Sequence, residues 1–319
     1  MKINQMPAIT WGRLDVNDAT IEDIEFNKPA LPKEDVPDGV LAEDHEIGRR
    51  YCFSDCLSSP LRLDIGISEE SSTKILIDVE EGASAFVIED ISKEASGTGL
   101  VETSYNVGKD ASLKFVQIVR CGKDSAAVNR IEGHAYENAQ ISVIQIFTES
   151  SANYTEFKTD LDGDNADLKA DVGYIVDGGS ILDMNYVITH RGRKTMSLLT
   201  IDGVLYDGAN KTFRGTIDLK HGCAEAKGTE NENVLLIGDT MINKTVPVIL
   251  CDEEDVEGNH GATIGKLDED LVFYLESRGI SPDDINSLMA DARIRRVASL
   301  IEDDKIADTI LNTIEESEE

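Results

Sequence analysis

A few thiols and imidazoles in the last third of the chain are the residues best suited to chemistry. His221 and Cys223 are two residues apart, so in a strand they would project from the same face. Cys251 follows Cys223 by 28 residues, and His260 has no bulky neighbour to cover its ring. Thiolates and imidazoles suit iron and iron–sulfur clusters, because soft sulfur donors match metal–sulfide centres. Cys223, Cys251 and His260 are therefore candidate metal or cluster ligands.

The thiols also have a structural interpretation, because free cysteine is among the most buried residue types and usually packs as a small apolar side chain. Cys52 and Cys56, four residues apart, fit a strand edge or helical packing as well as a metal pair. Cys121 ends an apolar strand pattern and is predicted to be structural. The sequence contains no Walker A motif, Gly-x-Ser-x-Gly, His-Glu-x-x-His or Cys-x-x-Cys, so an enzyme built on a standard motif is not expected.

Composition limits the class of protein. The 319 residues, 40% of them hydrophobic, can bury a large core as one or two domains. A formal net charge of −32 argues against direct binding to nucleic acid or an anionic membrane, since both repel an acidic surface. Five cysteines without disulfide-framework spacing indicate a reducing interior, and neither a signal peptide nor a membrane-length apolar run is found. We therefore expect a soluble cytoplasmic protein.

Strands are predicted through most of the chain. Apolar and polar residues alternate in several segments, as at Ile75, Ile77 and Val79, which is typical of strands with one buried face. Glycines from Gly163 to Gly238 recur about every fifteen residues, a regularity that favours a repeat architecture. One strand and one turn per interval predicts a parallel β-helix, whereas hairpins between short strands would give an antiparallel sandwich. Periodicity alone leaves both open.

Three regions are expected along the chain. Residues 1–50 are predicted to be an N-terminal arm and linker, anchored at Trp11 and kept extended by prolines, which disfavour helix at the preceding residue. Residues 51–266 carry the strand pattern and form the predicted core. Residues 267–319 have apolar side chains at helical spacing, with Ser281-Pro282 as a helix start and a last helix from about Asp304.

Three motifs, in register along the chain, resemble the SufB/SufD family, whose members are scaffold proteins of iron–sulfur cluster assembly. They are Phe213-Arg214-Gly215-Thr-Ile217, Asn233-Val-Leu235-Leu236-Ile237-Gly238-Asp239, and a C-terminal signature, His260-Gly-Ala-Thr263-Ile-Gly with Phe273-Tyr274-Leu and Ser277-Arg278-Gly279-Ile280. The resemblance is good from about Lys211 to Ile280 and fades toward the N-terminus. It implies a mainly β fold, a right-handed parallel β-helix core with a C-terminal helical subdomain, and thus favours the β-helix over the sandwich.

The resemblance also implies partners. In the family the C-terminal helical region is where the ABC-type ATPase SufC docks, and the subunits pair as a homodimer or a SufB/SufD-like heterodimer through the C-terminal end of the β-helix. The residues that would present the docking surface in this chain are Leu271, Tyr274, Leu275, Ile285, Leu288 and Met289. His260 matches the family's histidine near the subunit interface, where a transiently bound iron–sulfur cluster of unknown type is expected.

Two departures from the family pattern leave the function open. SufB-type scaffolds have a cysteine where this chain has Met241, and a glutamate where it has Gly261, the SufD-like choice. Either the chain assembles a cluster with other ligands, namely Cys223, His260 and Cys251 with a carboxylate from Glu230 or Glu232, or it is a SufD-like structural partner that binds no cluster. A β-helix carbohydrate-active enzyme is a remote alternative, because aromatic content is only 5% and such enzymes use aromatic sugar platforms.

Overall fold

The chain is a parallel β-solenoid of about eight turns with a C-terminal helical part, which confirms the predicted fold class. The computed structural model describes residues 1–10, 12–45, 48–57, 59–148 and 150–301. The predicted anchor Trp11 and the predicted last helix from Asp304 lie outside these residues. The first strands are β1 (Lys2–Ile3), β2 (Ala19–Thr20), β3 (Lys28–Pro29), β4 (Lys33–Asp35), β5 (Val40–His45), β6 (Gly48–Phe53), β7 (Leu61–Ile67), β8 (Ser71–Val79), β9 (Ser84–Lys93) and β10 (Gly97–Val107). The remaining strands are β11 (Ser112–Arg120), β12 (Gly122–Ala135), β13 (Gln140–Phe147), β14 (Ser150–Leu161), β15 (Asp167–Val176), β16 (Ile181–His190), β17 (Met196–Tyr206), β18 (Asn210–Leu219), β19 (Lys227–Ile237), β20 (Ile242–Cys251) and β21 (Glu257–Gly265), and the helices are α1 (Glu269–Glu276) and α2 (Pro282–Ala298).

Two long sheets face each other along the solenoid. Sheet I has the order β5-β6-β8-β10-β12-β14-β16-β18-β20, and sheet II has the order β4-β7-β9-β11-β13-β15-β17-β19-β21. From β6 onward, neighbours in a sheet are two elements apart along the chain and pair in parallel. One coil is therefore one strand of each sheet. Fewer residues separate the register partners Ser72 and Leu100 than separate the register partners Asn210 and Ile242. The coils near the C-terminus therefore contain more residues than the earlier ones.

In three central coils the chain turns from sheet I to sheet II through a residue with positive φ. Asp110, Asn138 and Asn165 occupy this position in successive coils with φ of 55°, 56° and 59°. Asparagine and aspartate tolerate this left-handed conformation because their short side chains bond locally. Here they also bond between coils, since Asn138 Nδ2 donates to Asp110 Oδ1 at 2.7 Å and Asn165 Nδ2 donates to Asn138 Oδ1 at 3.1 Å. Glycine residues were the sequence signal for these turns. In the central coils the turn position is instead occupied by Asp or Asn residues, whose side chains are hydrogen-bonded from one coil to the next.

The space between the two sheets, the lumen, is filled mainly by aliphatic and aromatic side chains. A polar ladder interrupts this packing in sheet II, where Glu89, Gln117 and Gln145 stand on neighbouring strands in register. Gln117 Nε2 donates to Glu89 Oε2 at 2.8 Å, and Gln145 Nε2 donates to Gln117 Oε1 at 2.9 Å. Thr103 Oγ1 donates to Glu89 Oε1 at 2.8 Å. Burial raises the pKa of Glu89 from 4.5 to about 7, because water no longer solvates its charged form.

The N-terminal arm packs against the outer face of sheet I near the end of the solenoid. Arg214, which is 1% exposed, bonds both carboxylate oxygens of Asp183 and donates to the backbone carbonyls of Val16 and Asp18. Asn4 Nδ2 donates to Asp183 Oδ1 at 2.7 Å. One buried ion pair thus fastens the arm to β16 and β18.

The two helices follow β21 directly. The side chain of Asp268 caps the N-terminus of α1, and Ser281 caps α2 as the sequence predicted. Ile294 and Val297 of α2 join a buried cluster with Ile88 and Val116 on the outer face of sheet II. No helix in the described ranges is both long and apolar enough to cross a bilayer.

Candidate functional site

The end of the solenoid brings two of the predicted donors to one surface. β20 and β21 are the last strands of their sheets, so their inward-facing side chains are not covered by a further coil of the described chain. We call this open end of the lumen, lined by the inward positions of β20 and β21, the lumen mouth. His260 lies there, exposed and in register with Glu230 on β19. Cys251, also exposed, pairs with Leu219 on β18.

Cys223 is placed differently from the sequence expectation. It lies in the turn between β18 and β19 rather than in a strand, so it shares no strand face with His221, whose side chain is 92% exposed. The Cys223 side chain is fully buried and packs with Ile217 and Ala226. Burial, with added repulsion from Glu253, raises the pKa of its thiol, so the nucleophilic thiolate is disfavoured.

The expected stacking of Cys223 on Cys251 also fails, for a geometric reason. The number of residues from Cys223 to Cys251 equals the number of residues in a central coil. The last coil of sheet I is longer and brings Leu219, not Cys223, opposite Cys251. The Cys251 sulfur donates instead to the backbone carbonyl of Glu253 at 3.1 Å. The Glu253 carboxylate accepts from Gly222 N at 2.9 Å, so the two turns are joined by hydrogen bonds rather than by sulfur.

Glu232 is held in a buried ion pair just inside the lumen mouth. Lys211, fully buried on β18, donates to Glu232 Oε1, to Asn243 Oδ1 at 2.9 Å and to Thr245 Oγ1 at 3.1 Å. Thr245 Oγ1 donates in turn to Glu232 Oε2 at 2.8 Å. Burial lowers the pKa of Lys211, whereas the neighbouring glutamates oppose that shift. No sequence signal pointed to this lysine, since a lysine in a strand is usually solvated.

Glu230 is a second buried carboxyl, close to Glu232 and reaching across the lumen to Gly215 on β18. The residue is 3% exposed, and a methyl carbon at Gly215 would collide with its Oε2. Burial and the nearby Glu232 raise its pKa to about 8, with Lys211 opposing the shift. Two of the predicted carboxylates thus lie close together, and Glu232 is the one that bonds Lys211.

One group of three potential ligands has donor atoms close enough for a metal ion among the described residues, and it is none of those predicted. His134, Asp160 and Asp162 lie on the outer surface with ligand atoms within 4.8 Å of one another. His134 Nδ1 is 2.8 Å from Asp162 Oδ2. The guanidinium of Arg191 already bonds Asp160 at 3.0 Å and lies 3.4 Å from Asp162, so a cation occupies this position from within the chain.

The predicted docking residues divide between surface and interior. Leu271 and Tyr274 of α1 and Leu288 of α2 are exposed, and Leu275 and Met289 are half-buried. Ile285 is 1% exposed, so its side chain packs inside the protein and is not part of this surface.

Sequence reasoning missed the most exposed apolar residue of the same surface. Phe273 is 72% exposed, and none of the residues of α1 is buried. Its place in the Phe273-Tyr274-Leu motif was the available signal. Leu271, Phe273 and Tyr274 thus give α1 an exposed apolar surface.

Comparison with known proteins agrees with the fold and the motifs. A family model described as SUF system FeS cluster assembly, SufBD core domain, matches residues 65–293. The chain is 30% identical to the iron–sulfur cluster assembly protein SufD of Bacillus subtilis over 102 residues, which are 32% of this chain and 23% of that protein. It is 23% identical to SufD of Escherichia coli over 249 residues, 75% of this chain and 57% of that protein. A SufBD family protein of Synechocystis is 26% identical over 152 residues, 48% of this chain and 32% of that protein. The chain therefore spans less than two thirds of the length of each of these relatives.

Proposed function

The chain belongs to the SufBD family of the SUF system for iron–sulfur cluster assembly, and from this premise we propose that it acts as a scaffold subunit that receives iron and sulfide at the lumen mouth. The observation that carries the proposal is the joint exposure of His260 and Cys251 on the last strands of the two sheets. Imidazole and thiolate are the donors that iron–sulfur clusters use. The cluster is cargo here, bound transiently and passed on.

Cys251 replaces Cys223 as the first thiol ligand in this proposal. An incoming iron or sulfide reaches an exposed sulfur directly, whereas the buried Cys223 would require its turn to open. Cys223 then serves packing, as free cysteine commonly does. Met241, which stands where SufB-type proteins have a cysteine, packs against the lumen core and offers no thiolate.

A cluster needs more donors than one chain places together at the lumen mouth. Among the described residues, Cys251 and His260 do not form a group of three ligands with a neighbouring carboxylate or histidine. A second subunit docked on the same end would supply the remaining ligands and satisfy the free edges of β20 and β21. The proposed assembly is therefore a homodimer, or a heterodimer with another SufBD subunit, joined through this end.

The proposed energy source is a partner ABC-type ATPase bound at α1. Leu271, Phe273 and Tyr274 present an apolar surface on a helix that is adjacent to the lumen mouth in the chain. A partner that moved α1 would pull on β21, because only Lys266, Leu267 and Asp268 separate the two elements. ATP-driven movement would then rearrange the ligands at His260.

Point substitution tests this docking better than deletion of the C-terminus. Removing residues 281–319 would uncover Ile88 and Val116, which α2 helps to bury. Phe273→Glu changes a side chain that touches little of its own protein, so the fold should be kept while binding to a SufC-type ATPase is lost. Leu288→Glu tests the α2 side of the same surface. Retained co-purification of both variants with the ATPase would place the docking site elsewhere.

A SufD-like structural partner that binds no cluster is the second candidate. The burial of Cys223 and the replacement of the SufB cysteine by Met241 favour it, since they remove two thiols from the possible ligand set. The carbohydrate-active enzyme is disfavoured, because the family match is to an assembly component. The two assembly roles share a fold and differ in whether the chain holds iron and sulfide.

Anaerobic reconstitution with iron and sulfide, read by visible absorption and by iron and sulfide content, separates these roles. We expect Cys251→Ala and His260→Ala to lose most bound iron and sulfide. Cys121→Ala is the matched control, because Cys121 is fully buried in the lumen core far from the mouth. If Cys223→Ala loses as much bound iron and sulfide as these two variants, Cys223 is also a cluster ligand. If the wild-type chain binds no cluster, alone or with a second SufBD subunit, the structural role is correct.

A further inference from the structure

Two residues of β14 carry buried polar atoms that form no hydrogen bond within the described part of the chain. Neither the Nδ2 nor the Oδ1 atom of Asn153 has a partner there, and the same is true of Thr155 Oγ1. Both residues are 0% exposed. Buried polar groups are nearly always paired, because their removal from water is costly unless another hydrogen bond replaces the one to solvent. These three atoms therefore call for a partner from outside the chain.

Both side chains face the lumen. Phe157 of the same strand belongs to the lumen core, and residues two apart in a strand share a face, so Asn153 and Thr155 lie on this side as well. Thr155 is in register with Asn129 on β12. Asn129 Nδ2 donates to Gln117 Oε1 at 2.6 Å, so hydrogen bonds already extend from the polar ladder of sheet II across the lumen to the strand beside Thr155.

The pairing between β12 and β14 is irregular next to Asn153. Their register shifts between Gly122 and Ala126, and the pair of Ala127 with Asn153 follows the shift directly. Such a bulge bends a strand and interrupts its pairing locally. Ala127 has a single methyl group as its side chain, whereas the neighbour of Asn153 on the other side is Leu182. The β12 side therefore leaves more room beside the Asn153 amide.

The chemistry of the three atoms selects an uncharged partner that can both donate and accept. An amide nitrogen only donates, its carbonyl oxygen only accepts, and a hydroxyl can do either. A cation would match the two oxygens but not the N–H groups of Asn153, and an anion would leave the Asn153 carbonyl unpaired. Either ion would also lose its hydration among the mainly apolar side chains of the lumen. Water matches all three atoms without carrying a charge.

We propose that Asn153 and Thr155 bind internal water in the lumen. The water accepts from Asn153 Nδ2, and it donates to Asn153 Oδ1 and Thr155 Oγ1, which gives it the two to four polar partners that a buried water has. The site places water at the coil where β12 and β14 pair irregularly, beside the end of the polar ladder. It belongs to the folded chain itself and is independent of the proposed assembly function.

The first test is a crystal structure of the full chain at a resolution that shows ordered water. We expect density for at least one water within about 3.2 Å of an amide atom of Asn153 and of Thr155 Oγ1. The wild-type protein suffices, so this test does not depend on the folding of any variant. A structure in which the Asn153 amide bonds only protein groups, or has no water within hydrogen-bond distance, overturns the inference.

The second test counts long-lived internal waters in solution by magnetic relaxation dispersion of the water oxygen. Asn153→Leu removes the amide and keeps a side chain of similar size, so we expect the loss of at least one long-lived water relative to wild type. Thr155→Val removes only the hydroxyl, and we expect a shorter residence time because the water loses one partner. Circular dichroism checks that each variant is folded.

Thr159→Val is the matched control for these variants. Thr159 lies on the same face of β14, but its hydroxyl is bonded to that of Tyr105 at 2.5 Å. We therefore expect the control to keep every long-lived water of the wild type. Equal dispersion in wild type, Asn153→Leu and Thr155→Val overturns the inference. An equal loss in Thr159→Val overturns it too, because the signal would then report a general loosening of β14 rather than a site at Asn153.

Discussion

Replacement of Glu89 by glutamine should stabilise the protein at neutral pH and have little effect at acidic pH. In the folded chain burial raises the pKa of Glu89 to about 7 from a reference value of 4.5. Below pH 4.5 the carboxyl is protonated whether the chain is folded or unfolded, so it contributes no pH dependence. Between pH 4.5 and 7 the unfolded chain releases this proton first, and stability falls as pH rises. Above pH 7 both states are ionised and the loss is constant.

The magnitude follows from the two pKa values. A difference from 4.5 to about 7 corresponds to roughly 3 kcal/mol, at about 1.4 kcal/mol for each unit. Glutamine keeps both contacts, since its oxygen accepts from Gln117 and its amide donates to Thr103. We therefore expect the variant to gain about 3 kcal/mol over wild type at pH 8 and almost nothing at pH 4.5. In thermal unfolding this is roughly 4–5 °C for a chain of this length.

The assay is a pH series of urea or thermal unfolding for wild type, Glu89→Gln and a control variant. Glu132→Gln is the control, because it removes the same charge from an exposed position on β12. It should follow the wild-type pH profile with an offset of less than about 0.5 kcal/mol, as is usual for surface substitutions. If Glu89→Gln shows a stability difference from wild type that does not change between pH 4.5 and 8, the argument from burial is wrong.

Two further substitutions test packing and the arm. Gly133→Ala should destabilise the protein by about 1–3 kcal/mol in urea unfolding, because a methyl carbon at this position would collide with the Tyr105 ring. Gly261→Ala is the control and should be nearly neutral in the same series, since the atom nearest to its new methyl carbon would be 3.4 Å away. Arg214→Met should cost about 3–5 kcal/mol by leaving Asp183 charged and buried without its partner, and should make residues 1–23 sensitive to limited proteolysis while β18 stays protected. An arm that resists the protease equally in both proteins would show that other contacts hold it.

The repeat architecture could be predicted because its signal is carried by many residues. Alternation of apolar residues reports strands, and regular turn residues report coils, so errors at single positions cancel. The choice between β-helix and sandwich needed the family resemblance, because the spacing of the turn residues specifies neither the direction of a strand nor its pairing partner. The structure confirms the parallel pairing from β6 to β21.

Site geometry was less predictable, because it depends on where each coil turns. The step from Cys223 to Cys251 matched the mean repeat but not the longer coil that contains it, in which Leu219 is the partner of Cys251. This difference in coil length moved Cys223 from a strand into a buried turn. The pairing of Lys211 with Glu232 and the position of Glu230 against Gly215 depend on contacts across the lumen that no local pattern encodes.

The coil register has a consequence for how such a chain can change in length. Each strand is aligned only by the strand one coil earlier, as in other quasi-one-dimensional repeat proteins. The arm is fastened at β16 and β18, and α2 packs on β13, β15 and β17. Both elements also reach back to earlier coils, because β3 and β4 of the arm pair with β8 and β7, and α2 shares a buried cluster with Ile88 on β9 and Val116 on β11. A whole coil inserted or removed between β8 and β16 would therefore change the distance that the arm has to span. The arm and α2 act as braces along the solenoid, and they limit the number of coils that the chain can carry.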